Sequence, residues 1–129
     1  MAADYSGQDL SGRDFSGQDL SYADFGDSNL SGAIFSGASL KRTSFSGANL
    51  RGANLSKAIL RNTNLTFCDL SQANFDQAQL VQVDLSGAKV RGATFRKALL
   101  QDCNLDDVVM HEADLSLALV NSASTRRRP

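Results

Sequence analysis

Every fifth residue from Tyr5 to Val120 is apolar. Fourteen Leu, six Phe, two Val, one Tyr and one Met fill all twenty-four positions, and no polar residue interrupts them. In a chain that is 42% hydrophobic, chance gives such a run on the order of once in a billion, so an internal repeat organises the sequence. A five-residue step fits neither regular period. It turns an α-helix by about 140° and sends alternate side chains to opposite faces of a strand. The chain must instead coil on its own repeat.

The other phases carry the same period. Two places before each apolar centre the residue is usually small, Ala in fourteen of the twenty-four units; the residue between is most often Asp or Asn, and Ser dominates after the centre. Two full units read Ser46-Gly47-Ala48-Asn49-Leu50 and Arg51-Gly52-Ala53-Asn54-Leu55. These residues resemble the pentapeptide-repeat family, in a bacterial and cyanobacterial form, over residues 3–123 without insertion. The resemblance implies an all-β solenoid: a right-handed quadrilateral β-helix of about six coils, four pentapeptides per coil. The centre and the small residue would point inward and the other three positions outward.

Aromatic placement supports four sides independently. Tyr5, Phe15, Phe25, Phe35, Phe45, Phe75 and Phe95 all occupy odd-numbered centres, which requires an even number of units per coil. With four, residues twenty apart stack. Tyr5, Phe25 and Phe45 then climb one wall, while Phe15, Phe35, Phe75 and Phe95 climb the opposite wall. Six coils at the strand spacing of about 4.8 Å give a rod of roughly 29 Å. Nine of ten glycines lie two places after a centre, yet Tyr22, Phe67, Leu117, Lys57 and Glu112 share that phase. A type II turn needs a positive φ there, which bulky residues resist, so the expectation is mostly type I corners.

Composition fits one domain. Net charge is −1, which argues against a general nucleic-acid binder. No segment reads as a membrane span or signal peptide, so a cytoplasmic location is expected. Cys68 and Cys103 occupy inward small positions on different walls and are expected to remain thiols. Past residue 123 the repeat fails, and residues 124–129, with Arg126, Arg127 and Arg128, read as a flexible basic tail. Catalytic, metal-binding and cofactor-binding readings find no support. His111 stands alone at an outward phase, the carboxylates repeat as a structural phase, and a filled solenoid has no cavity to desolvate them.

A protein-interaction function is what remains. Ile59, Leu99 and Leu119 are outward apolar residues on one wall, with Val81 just beyond the corner, and form a candidate partner surface. The last coil places Met110, Leu115 and Val120 at its centres, an apolar end suited to a weak homodimer. At the other end Asp4, Asp9, Asp14 and Asp19 form an acidic ring. Some relatives in the family mimic DNA and bind DNA gyrase, so the resemblance carries a second expectation, a DNA-mimicking binder and protector of a type II topoisomerase using that ring. Charge is banded along the chain: residues 1–30 hold six Asp and one Arg, residues 41–61 five basic residues and no acid, and residues 69–115 a mixture.

Overall fold

The computed structural model describes residues 2–127. Parallel pairing joins positions twenty apart along the rod. On one wall it steps from Asp4 to Asp24, Ser44, Asn64, Asp84, Asn104 and Ser124. Centre residues donate the N–H to the carbonyl nineteen residues ahead, as Tyr5 does to Asp24 at 2.7 Å and Leu50 to Asp69 at 2.8 Å. The residue before each centre donates backward, as Asp24 does to Ala3 at 3.0 Å. A twenty-residue register means four pentapeptides per turn of the coil. On one wall the pairing widens into strands β1 (Ile59–Arg61), β2 (Gln79–Val81), β3 (Leu99–Gln101) and β4 (Leu119–Asn121), a parallel sheet in sequence order.

The inward phases form one continuous core. From Leu10 to Leu105 every centre is buried, and so are the small positions from Ala23 to Val108. Rings stack up the walls at the coil spacing: Tyr5 on Phe25 at 4.8 Å, Phe25 on Phe45 at 5.1 Å, Phe15 on Phe35 at 5.1 Å and Phe75 on Phe95 at 4.7 Å. The two ladders meet edge to face across the axis, Phe25 with Phe35 at 5.6 Å and Phe35 with Phe45 at 5.5 Å. Both geometries suit the ring quadrupole. Polar residues at inward positions bond to backbone carbonyls. Thr43 Oγ1 donates to Leu20 C=O (2.9 Å), Thr63 Oγ1 to Leu40 C=O (2.6 Å) and Cys68 Sγ to Phe45 C=O (2.9 Å).

The corners correct one expectation. The residue two places after the centre has positive φ in nine glycines and in fourteen other residues, including Tyr22, Lys57, Phe67 and Leu117. With the N–H of the next residue bonded back to the centre carbonyl, as Ala23 is to Leu20 at 3.0 Å, this is type II geometry and not type I. The register overrides local preference, because each corner must return the next small residue to the interior while keeping pairs twenty apart. The cost of a left-handed residue, on the order of 1–2 kcal/mol, is met by that pairing. Large side chains at this phase also lie over the next coil. A Cβ on Gly87 would meet the Phe67 ring at 2.6 Å, and one on Gly92 would meet Gln72 Nε2 at 2.4 Å.

One corner departs from the rest. Met110–Glu112 forms a 3-10 turn, with Ala113 N–H bonded to Met110 C=O at 3.0 Å. Among the described residues Glu112 is the exception to the positive-φ series. Val109 makes no bridge to Lys89, and Gly92 N–H reaches Glu112 C=O, one residue later than the register requires. Backbone pairing otherwise continues past the last repeat. Asp107 N–H donates to Arg126 C=O at 2.6 Å, and Arg126 N–H to Asp106 Oδ1 at 2.8 Å. Residues 121–124 thus extend the coil instead of crossing its end. Arg126 and Arg127 are exposed. Arg128 and Pro129, which belong to the expected tail, lie outside the described residues.

Candidate functional site

The outward positions of the β1–β4 wall bring some of the apolar residues together and separate others. Leu99 pairs directly with Leu119, but Gln79 stands between Ile59 and Leu99 in the ladder. Val81 lies across Leu80 from Gln79 and pairs with Arg61 and Gln101. Ile59, Val81 and Leu99 are half-buried, whereas Leu119 is 59% exposed. The apolar surface therefore concentrates at the C-terminal coil. Leu117 is 80% and Val120 44% exposed, with Met110 and Leu115 half-buried beside them. The candidate wall and the candidate end adjoin at Leu119 and Val120. Leu117 was missed by sequence reasoning because it sits at the corner phase, which glycine dominates; its signal was its size at that phase.

At the opposite end the acidic ring has a structural task. Oδ1 of Asp4, Asp9, Asp14 and Asp19 accepts the backbone N–H two residues on, from Ser6 (2.9 Å), Ser11 (3.1 Å), Ser16 (2.8 Å) and Ser21 (3.1 Å). Asn29, Asn49, Asn54 and Asn64 do the same in later coils. These are Asx turns that enter the corner. The accepted bonds hold all four carboxyls below the usual carboxylate range. For Asp4, Asp14 and Asp19 the serine hydroxyl contributes most; for Asp9 it is the Ser11 N–H. All four are exposed and remain charged at neutral pH. Around them Gln8, Arg13 and Gln18 are exposed, and the Arg13 guanidinium lies 5.6 Å from the Phe15 ring centre. That end is polar; the other is apolar.

Cys68 and Cys103 are buried free thiols on the adjoining walls centred at Leu70 and Leu105. Burial pushes the Cys68 thiol up to about 12 and raises Cys103 as well, which suppresses the nucleophilic thiolate. Among the described residues no group of three or more His, Cys, Asp or Glu side chains converges in a way that could hold a metal ion. No described helix is long and apolar enough to cross a membrane. A shallow recess of about 400 Å³ lies beside the break in register, with Val109 and Glu112 in its lining. Its charges are largely matched within the chain: Arg51 pairs with Asp69 at 3.1 Å and Arg91 with Glu112 at 3.4 Å.

A filled parallel solenoid, closed by Asx-initiated corners and presenting only outer surfaces, is a repeat scaffold. The family profiles agree: pentapeptide repeats match residues 2–37 and the pentapeptide repeat region matches residues 38–115. The chain belongs to the pentapeptide-repeat family, and its fold is the right-handed quadrilateral β-helix. It is similar to a pentapeptide repeat protein from the thylakoid lumen of Arabidopsis thaliana, at 38% identity over 82% of this chain and 70% of that one, with a TM-score of 0.58. A trypsin-treated form of QnrB1, a plasmid-mediated fluoroquinolone resistance protein, matches at 22% identity over 97% and 69%, with a TM-score of 0.66. Rfr23 from the cyanobacterium Cyanothece 51142 matches at 20% over 95% and 86%, with a TM-score of 0.51. Those last two likenesses speak to fold alone. No curated protein sequence matches.

Proposed function

We propose that this chain is a non-enzymatic, cytoplasmic protein-interaction module whose contact surface is the apolar patch on its last coil and the adjoining wall. The observation that carries this reading is concentration. Of the five exposed large hydrophobic residues among the described residues, Leu117, Leu119 and Val120 lie within four positions, and Leu99 continues the patch. An exposed apolar cluster of this kind on an otherwise polar rod favours burial against a partner. A second copy of the chain meeting Met110, Leu115 and Val120 would form a weak two-fold homodimer.

The test replaces Leu99 and Leu119 with Asp. Both point outward, so the melting temperature should stay nearly unchanged, while partner capture should weaken by more than about 2 kcal/mol. Retained capture would sink the reading. Sedimentation at high concentration reports the homodimer: a strict monomer rejects it.

The acidic ring favours a second reading, binding to a type II topoisomerase as a DNA mimic. Its support is four exposed, ionised carboxylates at one end, on a fold shared with QnrB1. Changing Asp9, Asp14 and Asp19 to Asn keeps a side chain able to make the Asx turn and removes only charge. If purified DNA gyrase binds the native chain and loses this variant while keeping the Leu-to-Asp variant, the mimic reading replaces the apolar-patch reading.

A further inference from the structure

The four edges of the rod are not equivalent. Among the corner residues of three edges, nine of eighteen are glycine; on the edge following the β1–β4 wall the series reads Tyr22, Arg42, Asn62, Gln82, Asp102, Ser122, with no glycine. All six hold positive φ, from 52° to 67°. Side chains are therefore kept on this edge at a backbone cost that glycine would avoid. Beside them, one place earlier, run Ser21, Lys41, Arg61 and Val81.

The N-terminal half of this edge carries an open recess of about 260 Å³ lined by Lys41, Arg42 and Arg61, with Ser21 and Tyr22 towards one end and Asn62 and Gln82 towards the other. No carboxylate lines it. Elsewhere Arg51, Arg91 and Arg96 each sit within 3.1–3.7 Å of an acid. Among the described residues Lys41, Arg42 and Arg61 make no ion pair, although Lys41 helps to lower the Asp19 carboxyl. Lys41 and Arg61 occupy the same phase one coil apart, about 4.8 Å along the rod. Arg42 N–H bonds to Arg61 C=O at 2.8 Å and Tyr22 N–H to Lys41 C=O at 2.9 Å, which places the four residues side by side. The buried hydroxyls of Thr43 and Thr63 brace this edge from inside, through Leu20 C=O and Leu40 C=O.

Three adjacent cations without an ion-pair partner repel one another and are relieved by a multiply charged anion bridging them. An aromatic ring 64% exposed at the rim offers a stacking face. We propose that this edge binds a nucleoside phosphate, its phosphates held by Lys41, Arg42 and Arg61 and its base laid on Tyr22. This goes beyond the interaction-module reading and does not depend on it. A nucleic-acid strand would need cations to continue along its path, but the next residues in phase with Arg61 are Val81, Gln101 and Asn121.

The experiment titrates the purified chain with ADP, with inorganic phosphate and with a short oligothymidylate, following backbone amide shifts by NMR. ADP should shift Tyr22, Lys41, Arg42 and Arg61 and bind about tenfold more tightly than phosphate. The double variant Lys41→Gln/Arg61→Gln should weaken ADP by about tenfold or more at unchanged melting temperature. Tyr22→Ser should weaken ADP and leave phosphate binding as it was, and Arg51→Gln/Arg91→Gln should change neither. ADP binding no tighter than phosphate, ADP binding indifferent to Lys41→Gln/Arg61→Gln, or tighter binding of the oligonucleotide than of ADP would each overturn the proposal.

Discussion

The two ends of the rod are built from one repeat and solve opposite problems. From the first coil into the third Tyr5, Phe15, Phe25, Phe35 and Phe45 interlock as stacked and edge-to-face rings, and Gln8, Arg13 and Gln18 stand at the open end. Towards the other end Phe95 is the last aromatic centre, the centres of the final coil are Leu, Met and Val, the register slips at Val109–Glu112, and Leu117, Leu119 and Val120 are exposed. A five-residue period therefore sets the path of the chain but not its cohesion or its contacts. Those depend on which residue fills each phase.

The sharpest way to break this contrast is to remove a ring from each region. Phe35 is fully buried and touches Phe15, Phe25 and Phe45, so Phe35→Ala should cost about 3–5 kcal/mol in a denaturant titration. Phe95 stacks only on Phe75 among the described rings, so Phe95→Ala should fall at the lower end of that range. Equal losses would mean that the aromatic ladders add nothing beyond burial. The exposed Phe67→Ala should cost under about 1 kcal/mol.

A smaller effect tests the corners. Gly52→Ala meets open space at φ 66° and should cost about 1 kcal/mol for conformation alone. Gly87→Ala, at φ 71°, also meets the Phe67 ring and should cost more. In a Phe67→Ala background the extra loss should vanish. Additive effects in that double-mutant cycle would show that the ring moves aside freely.

Titration separates the polar coil from the buried thiols. The carboxyls of Asp4, Asp9, Asp14 and Asp19 are lower in the folded chain than in the unfolded one. Their contribution is present above the unfolded value near 3.9 and is lost as pH falls through the lower folded values. An acid melt should therefore steepen below about pH 4, and the Asp-to-Asn ring variant should blunt it. Cys68 shifts the other way, to about 12. The unfolded chain ionises first, so stability should decline from about pH 9 upward. The least perturbing measurement is thiol labelling at neutral pH. Neither Cys68 nor Cys103 should react in the native protein, and both should react once it unfolds; fast native labelling would contradict their burial.

Much of this architecture was readable from the chain because the apolar centres have one tolerance, burial, and show it at every unit. The aromatic centres implied an even number of sides, the family resemblance four, and the stacked rings follow them. The corners were misread because turn preferences describe short peptides, whereas here pairing with the neighbouring coils imposes the positive φ on Tyr22 and Phe67 alike. The slip at Met110 has no local signature, since Met110 keeps the apolar phase and only the pairing reveals the change. The Leu99 and Leu119 contact was legible from their spacing of twenty. The cationic edge was not singled out, although its signal lay in the absence of glycine from positions 22, 42, 62, 82, 102 and 122.

The register, regular up to the slip at Val109–Glu112, has a further consequence for how this chain tolerates loss and gain of length. Excising twenty residues, for example 46–65, would join Phe45 to Thr66 with every remaining side chain on its original wall and every backbone pair re-formed one storey down. Excising five would rotate everything downstream by a quarter turn, setting Phe75 and Phe95 over the wrong column and moving Leu99 and Leu119 to another side of the rod. The molecule is in this sense a ruler with two graduations. Five residues choose a direction, and twenty choose a height.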